Sequence, residues 1–163
     1  MIKLKSLANV SSPEIQRLAD NYAVARNLRD SFPHPYTLAD AQYFKDLVTT
    51  GDLGTVFALF DDDTFIGVGS IIPHEGEGAA ELGYWLGEPF WGKGFATAAA
   101  QQLLAYAFQE LNFQKVYAYV FAYNPASMRV LEKVGFTEEA ILAQSTLKEG
   151  EYYDEYRFSI NRP

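Results

Sequence analysis

The stretch that decides the fold is Glu81-Leu82-Gly83-Tyr84-Trp85-Leu86, broken by Gly87-Glu88-Pro89-Phe90 and followed by Trp91-Gly92-Lys93-Gly94-Phe95-Ala96-Thr97. The first six residues read as the end of a strand. The alanine-rich run from Ala96 to Leu111 repeats its apolar side chains at helical spacing, through Ala99, Leu103, Tyr106, Ala107 and Phe108. A strand that turns on glycines into a helix aims free backbone N–H groups and the positive end of the helix dipole at one point, which suits an anion and above all a phosphate. Gly92 and Gly94 let the backbone approach such a ligand without a Cβ in the way, and Lys93 adds a point charge. A short Gly-x-Gly also occurs in plain turns, and the stretch matches neither common nucleotide fingerprint. Its meaning therefore depends on the rest of the chain.

Working outward, Ser12-Pro13 starts a helix with Ile15, Leu18, Tyr22 and Ala25 at helical spacing, and Thr37 caps a second helix that ends near Gly51. Between them, Ser31-Phe32-Pro33-His34-Pro35-Tyr36 cannot be helical, because each proline restrains itself and the residue before it. Residues 56–60 and 65–72 read as a hairpin around Asp61-Asp62-Asp63, a solvated turn in preference to a metal site because adjacent residues in a tight turn converge poorly on one ion. His74, Glu75 and Glu77 read as a charged hairpin loop. After the long helix come a strand over 116–123 and a helix opened by Asn124-Pro125 and closed by Gly135. Two strands, 140–148 and 152–160, joined at Glu149-Gly150, end the series. With 163 residues, 48% hydrophobic and 15% aromatic, one α/β domain over 1–163 is expected.

Composition narrows the function. The formal net charge of −8 argues against nucleic acid and anionic membrane surfaces as partners and mildly favours cationic ones. The absence of cysteine excludes a disulfide framework, a thiolate nucleophile and cysteine metal ligands. No stretch has the length of a membrane span or the apolar core of a signal peptide, so a cytoplasmic protein is expected.

The motif Asn124-Pro125-Ala126-Ser127-Met128-Arg129-Val130-Leu131-Glu132-Lys133-Val134-Gly135-Phe136 resembles the Asn-x-x-Ser and Glu-Lys-x-Gly-Phe signature of the GNAT N-acetyltransferases. The strand and glycine turn at 81–97 resemble that family's pyrophosphate loop, with Trp91 at its start as in the RimJ/RimL-like branch, which Glu149-Gly150-Glu151-Tyr152-Tyr153-Asp154 also resembles. The resemblance implies a GNAT-like mixed, largely antiparallel sheet flanked by helices, with a splayed strand pair at the cofactor slot. It implies acetyl-coenzyme A as co-substrate, no metal, and a primary amine as acceptor: a protein N-terminus, an amino acid or peptide, a polyamine or an aminoglycoside. Pantetheine would bond to the backbone of Trp85 and Leu86 and to Asn124, and the pyrophosphate to the N–H groups of Gly92, Lys93, Gly94, Phe95, Ala96 and Thr97. Lys93, Arg129 or Lys133 would reach the 3′-phosphate or stay solvated. A homodimer is also implied.

The resemblance carries unevenly to the chemistry. Many members place a tyrosine where this chain has Leu131, and the branch often places a glutamate where it has Ala98. Ser127 is then the candidate hydrogen-bond partner or proton donor for the departing thiolate, against a packing role. Glu81 is the candidate base, against a solvent-facing or lysine-paired strand residue. Phe32, His34 and Tyr36 are expected to wall the acceptor pocket; His34 is either a base or an exposed loop residue. Asn124 serves pantetheine, the helix N-cap, or both. The two missing residues leave open a non-catalytic acyl-coenzyme A-binding module on the same fold, while a purely structural or dimerisation domain accounts poorly for the two motifs.

Overall fold

A computed structural model describes residues 1–73 and 78–163; His74, Glu75 and Glu77 lie outside them. The strands β1 (Ile2–Lys5), β2 (Thr55–Asp61), β3 (Thr64–Pro73), β4 (Ala79–Leu86), β5 (Lys115–Phe121), β6 (Thr137–Lys148) and β7 (Glu151–Asn161) form one sheet in the order β1-β2-β3-β4-β5-β7-β6. Every pairing is antiparallel except β4–β5, which is parallel. The α/β class and the largely antiparallel mixed sheet expected from the sequence are what the chain adopts.

The parallel pair positions the site. It is registered only at Ala79↔Lys115, Ala80↔Val116 and Glu81↔Tyr117. Beyond Glu81, β4 runs on to Leu86 beside β3, and β5 runs on to Phe121 beside β7, without pairing to each other. The sheet opens there, and two strand edges face across a gap.

Helices cover both faces. On one, α4 (Phe95–Gln109) and α5 (Pro125–Val134) bury Leu103, Ala107 and Leu131 against Leu82, Val116, Ala118 and Val120, the inward set of alternating β4 and β5 residues. On the other, α1 (Ser12–Ala19) and α3 (Leu38–Thr50) pack Ile15, Ala19 and Ala41 on Ala58 and Val68. Both helices begin with capping boxes, Ser11 with Glu14 and Thr37 with Asp40. The last hairpin turns at Glu149 (φ 50°) and Gly150 (φ 85°), the left-handed pair that a two-residue turn between twisted strands requires.

One sequence expectation fails locally. The helix from Ser12 does not continue to Ala25: α1 stops at Ala19, and a single turn, α2 (Tyr22–Ala25), begins after it. Asn21 caps that turn by accepting from the Ala23 N–H, and Asp20 Oδ1 accepts from the Tyr36 N–H at 3.0 Å, so both short side chains compete with the helix for backbone partners. The break turns Tyr22 outward to 47% exposure, where its hydroxyl donates to Glu149 Oε2 at 2.9 Å.

Candidate active site

A cavity of about 570 Å³ fills the gap between β4 and β5. One end is the glycine turn. Gly92 (φ 73°) and Gly94 (φ 80°) are both left-handed, and a Cβ at either would meet no protein atom within 4 Å, so each opens onto free space. Gly94 is the N-cap of α4 and offers no side-chain bond; the first helical bond runs from Ala98 N–H to the Gly94 carbonyl. The N–H groups of Phe95, Ala96 and Thr97 therefore lack intrahelical acceptors and point with the helix dipole toward the cavity, which these residues line together with Gly92 and Gly94. Lys93 is exposed and outside the lining; of the three cations considered for a 3′-phosphate, only Lys133 borders the cavity.

The β4 edge is next. Gly87 donates its N–H to the Ile66 carbonyl of β3 at 2.9 Å, and the Trp85 carbonyl lies against Gly67. Polar groups of successive strand residues point to opposite edges, so Leu86 and Tyr84 present theirs to the gap while those of Trp85 are spent on β3. Backbone access at both Trp85 and Leu86 is thereby narrowed to Leu86. Its carbonyl already accepts from the Trp91 indole N–H at 2.8 Å, leaving the N–H as its free group. The Trp85 ring packs edge-on against Phe32, centroids 5.6 Å apart.

Across the gap, Asn124 and Ser127 stand at the start of α5. Asn124 caps that helix by accepting from the Ser127 N–H at 3.4 Å and also lines the cavity. The Ser127 hydroxyl lies 3.0 Å from the Tyr84 hydroxyl. Burial raises the Tyr84 phenol above its ordinary value and outweighs the opposing effect of the Ser127 bond, so the tyrosine stays protonated. Tyr84 escaped the sequence reading because strand parity alone does not show that its ring reaches the serine of another motif. Elsewhere in that motif Gly135 ends α5 at φ 113°, and Leu131 and Phe136 are buried, 1% and 2% exposed.

At the far end Glu81, Arg29, Tyr119 and Glu155 line the cavity together with Asn27 and Leu28. Glu81 is the last residue of β4 registered with β5. The Tyr117 phenol opposite it is raised, first by burial and next by the Glu81 charge. Arg29 bonds Glu155 Oε2 at 2.9 Å and lies over the Tyr119 ring at 5.2 Å. Glu155 is 6% exposed; Thr146 and Ser145 also donate to it. Burial pushes its carboxyl upward, yet the Thr146, Arg29 and Ser145 bonds together hold it below the ordinary range.

The expected acceptor wall is corrected here. Phe32, His34 and Tyr36 do not line the cavity. Tyr36 is 4% exposed in the core under α1 and α3, where burial pushes its phenol up to about 12. Phe32 wedges between Tyr36 and Trp85 and supports β4 from behind. His34 is exposed and sits 5.3 Å from the Tyr22 ring. The proline-stiffened loop packs down onto the helix layer, and the preceding segment, with Asn27, Leu28 and Arg29, forms the wall.

A splayed parallel pair with an uncapped helix N-terminus beside it defines a cleft suited to an extended, anionic ligand. The chain belongs to the GNAT acetyltransferase family: the model described as an acetyltransferase (GNAT) domain matches residues 4–137. It is 32% identical over 127 residues to the uncharacterized N-acetyltransferase YnaD of Bacillus subtilis, covering 77% of this chain and 74% of the relative. Against several other Bacillus relatives the match spans about half their length. Spermidine N-acetyltransferase from Vibrio cholerae, solved with coenzyme A and spermine, superimposes with a TM-score of 0.85 at 25% identity, over 98% of this chain and 95% of that one. The ribosomal L7/L12 alpha-N-protein acetyltransferase RimL, solved with coenzyme A, shares the fold with a TM-score of 0.86 at 22% identity, over 98% and 93%. Among the described residues no helix is long and apolar enough to cross a membrane.

Proposed function

We propose that this protein transfers an acetyl group from acetyl-coenzyme A to a primary amine by direct attack in a ternary complex. The observation that carries this reading is one cavity that joins the free N–H groups of α4 to Glu81 through the gap between β4 and β5. In this reading the N–H groups from Gly92 to Thr97 hold the pyrophosphate. The free β4 edge at Leu86 and Tyr84, with Asn124 opposite, takes the pantetheine as an added half-strand. Coenzyme A complexes of the Vibrio spermidine acetyltransferase and of RimL support that donor.

The chemistry asks for three things. The amine must attack as the free base, so Glu81 accepts its proton directly or through a water. The Leu86 N–H stabilises the oxyanion that forms on the acetyl carbonyl, as a preorganised dipole. The sulfur leaves with the electron pair of the broken C–S bond and meets the Ser127 hydroxyl. Arg29, Tyr119 and Glu155 shape the entry for the acceptor.

Mixing the protein with acetyl-coenzyme A and a panel of spermidine, free amino acids, peptides with unblocked N-termini and aminoglycosides tests the reading, followed by thiol release and product mass. Acetylation of at least one amine is expected. Tight cofactor binding without acetylation of any panel member would instead support the non-catalytic acyl-coenzyme A-binding module.

A further inference from the structure

Tyr84 is the residue that the motifs did not single out and the geometry does. Its half-buried ring packs against the core that α4 and α5 cover, and its hydroxyl lies 3.0 Å from Ser127 Oγ on the wall of the cavity. Both groups line the gap, Tyr84 from β4 and Ser127 from the first turn of α5, beyond the end of β5. A phenol is a far stronger acid than an aliphatic alcohol, so the favoured arrangement has Tyr84 donating and Ser127 accepting. The backbone N–H of Ser127 is already bonded to Asn124 Oδ1, which fixes the first turn of α5 and with it the position of Oγ. With one lone pair engaged by the phenol, the serine's own proton turns toward the open gap.

We propose that Tyr84 is a positioning residue that orients the Ser127 hydroxyl as a hydrogen-bond donor to the sulfur leaving the acetyl group. The inference rests on the acetyl-transfer reading above and adds to it the group that aims the serine. In the step, the amine nitrogen bonds to the acetyl carbon, the C–S bond breaks, and the sulfur departs with the electron pair. The proton that the nitrogen sheds as the amide forms follows the earlier one through Glu81 or its water to solvent. Ser127 and Tyr84 keep their protons throughout; they stabilise the thiolate, and solvent protonates it on release. Hydrogen bonds in series polarise one another, so the phenol strengthens the serine's bond to sulfur as well as directing it.

The experiment compares Tyr84→Phe, Ser127→Ala, their double variant and Ser127→Thr with the parent chain. Tyr84→Phe keeps the ring in its packing and removes only the hydroxyl. Both single variants are expected to lower kcat roughly 10-fold with KM for acetyl-coenzyme A changed by less than about twofold. The double variant should be no slower than Ser127→Ala, and Ser127→Thr should recover most of the rate. In a second, turnover-independent reading, the thiol of bound coenzyme A is titrated by the ultraviolet absorbance of its thiolate; its pKa should rise by roughly one unit in either single variant. Losses that multiply in the double variant, or a parent-like kcat in Tyr84→Phe, overturn the proposal. So does a Tyr84→Phe defect confined to KM or melting temperature, which belongs to a packing role. An active parent with an unshifted thiol pKa in both variants defeats this inference alone. A shifted thiol pKa with no amine acetylated defeats the acetyl-transfer reading and leaves the Tyr84–Ser127 pair standing.

Discussion

The two ends of the cleft are made of different materials. The end that our proposal gives to the donor is built from backbone: two left-handed glycines, the first N–H groups of α4 and the unpaired edge of β4. The end proposed for the acceptor is built from side chains brought together from three distant segments, Arg29 before α3, Glu81 on β4 and Glu155 on β7. Backbone geometry follows from local sequence, because a glycine turn before a helix presents the same donors whatever the neighbours are. A side-chain cluster follows only from how the elements pack. The donor end therefore depends on left-handed dihedral angles and on the space that a missing Cβ leaves, while the acceptor end depends on the identity of each side chain.

If that contrast holds, substitutions at the two ends separate kinetically. Glu81→Gln is expected to lower kcat/KM by about 100-fold, with cofactor affinity unchanged, since a positioned base contributes on that order or more. The acidic limb of the pH profile that stays in place when the amine is changed should disappear with it. Steady-state kinetics with two amines of different basicity checks both; a variant within threefold of the parent removes Glu81 from the mechanism. Gly94→Val acts at the other end. It forces a β-branched residue to φ 80° and sets a Cβ in the open space before α4. Cofactor binding should weaken by about 10- to 100-fold, from the left-handed penalty and the lost approach together. Calorimetry with coenzyme A measures it, and parent-like binding would contradict the role given to the turn.

The sheet elements, α3, α4 and α5 were legible because each carries its own period and punctuation: Thr37 and Asp40 start α3, Gly94 opens α4, and Gly135 ends α5. The grouping of the candidate site was legible in the same measure. Gly92, Gly94, Phe95, Ala96, Thr97, Leu86, Asn124, Ser127 and Glu81 all line one cavity. What stayed hidden depends on which way a side chain points after packing. Strand alternation sends Trp85 to the α1–α3 side and Tyr84 to the α4–α5 side, but only the packed helices reveal that Tyr84 meets Ser127. Likewise Phe32, His34 and Tyr36 sit in a loop of suitable composition, yet the Asp20 and Asn21 break folds it onto the helix layer and leaves the preceding residues at the cavity.

A smaller effect reads the acceptor end as structure. Glu155 ties Arg29 to the Ser145–Thr146 edge, and Asp30 ties the same segment to Lys148 at 3.0 Å and to the Glu149 N–H. Glu155→Gln should cost about 2 kcal/mol, because a buried network loses its charge, and lower Tm by roughly 4–8 °C. Its folded pKa lies below the unfolded value of 4.5, so its contribution is complete above that pH and is lost as pH falls through the folded pKa. The parent should therefore lose more Tm than the variant between neutral pH and acid below 4.5, and parallel melting curves across that range test it.

The smallest expected effect falls on His34, and it tests the correction to the acceptor wall. The imidazole is exposed, outside the cavity lining, and in ring contact with Tyr22 alone among the described aromatic pairs. An exposed side chain away from the reacting groups changes little when truncated, so His34→Ala should hold kcat/KM within about twofold and leave the pH profile in place. Arg29→Ala, assayed beside it, removes a cavity-lining group and should raise KM for the amine while sparing that for acetyl-coenzyme A. If His34→Ala instead loses the acidic limb of the profile, the loop must fold over the cleft when the amine binds, and the acceptor end would then be assembled by substrate where the donor end is built in advance.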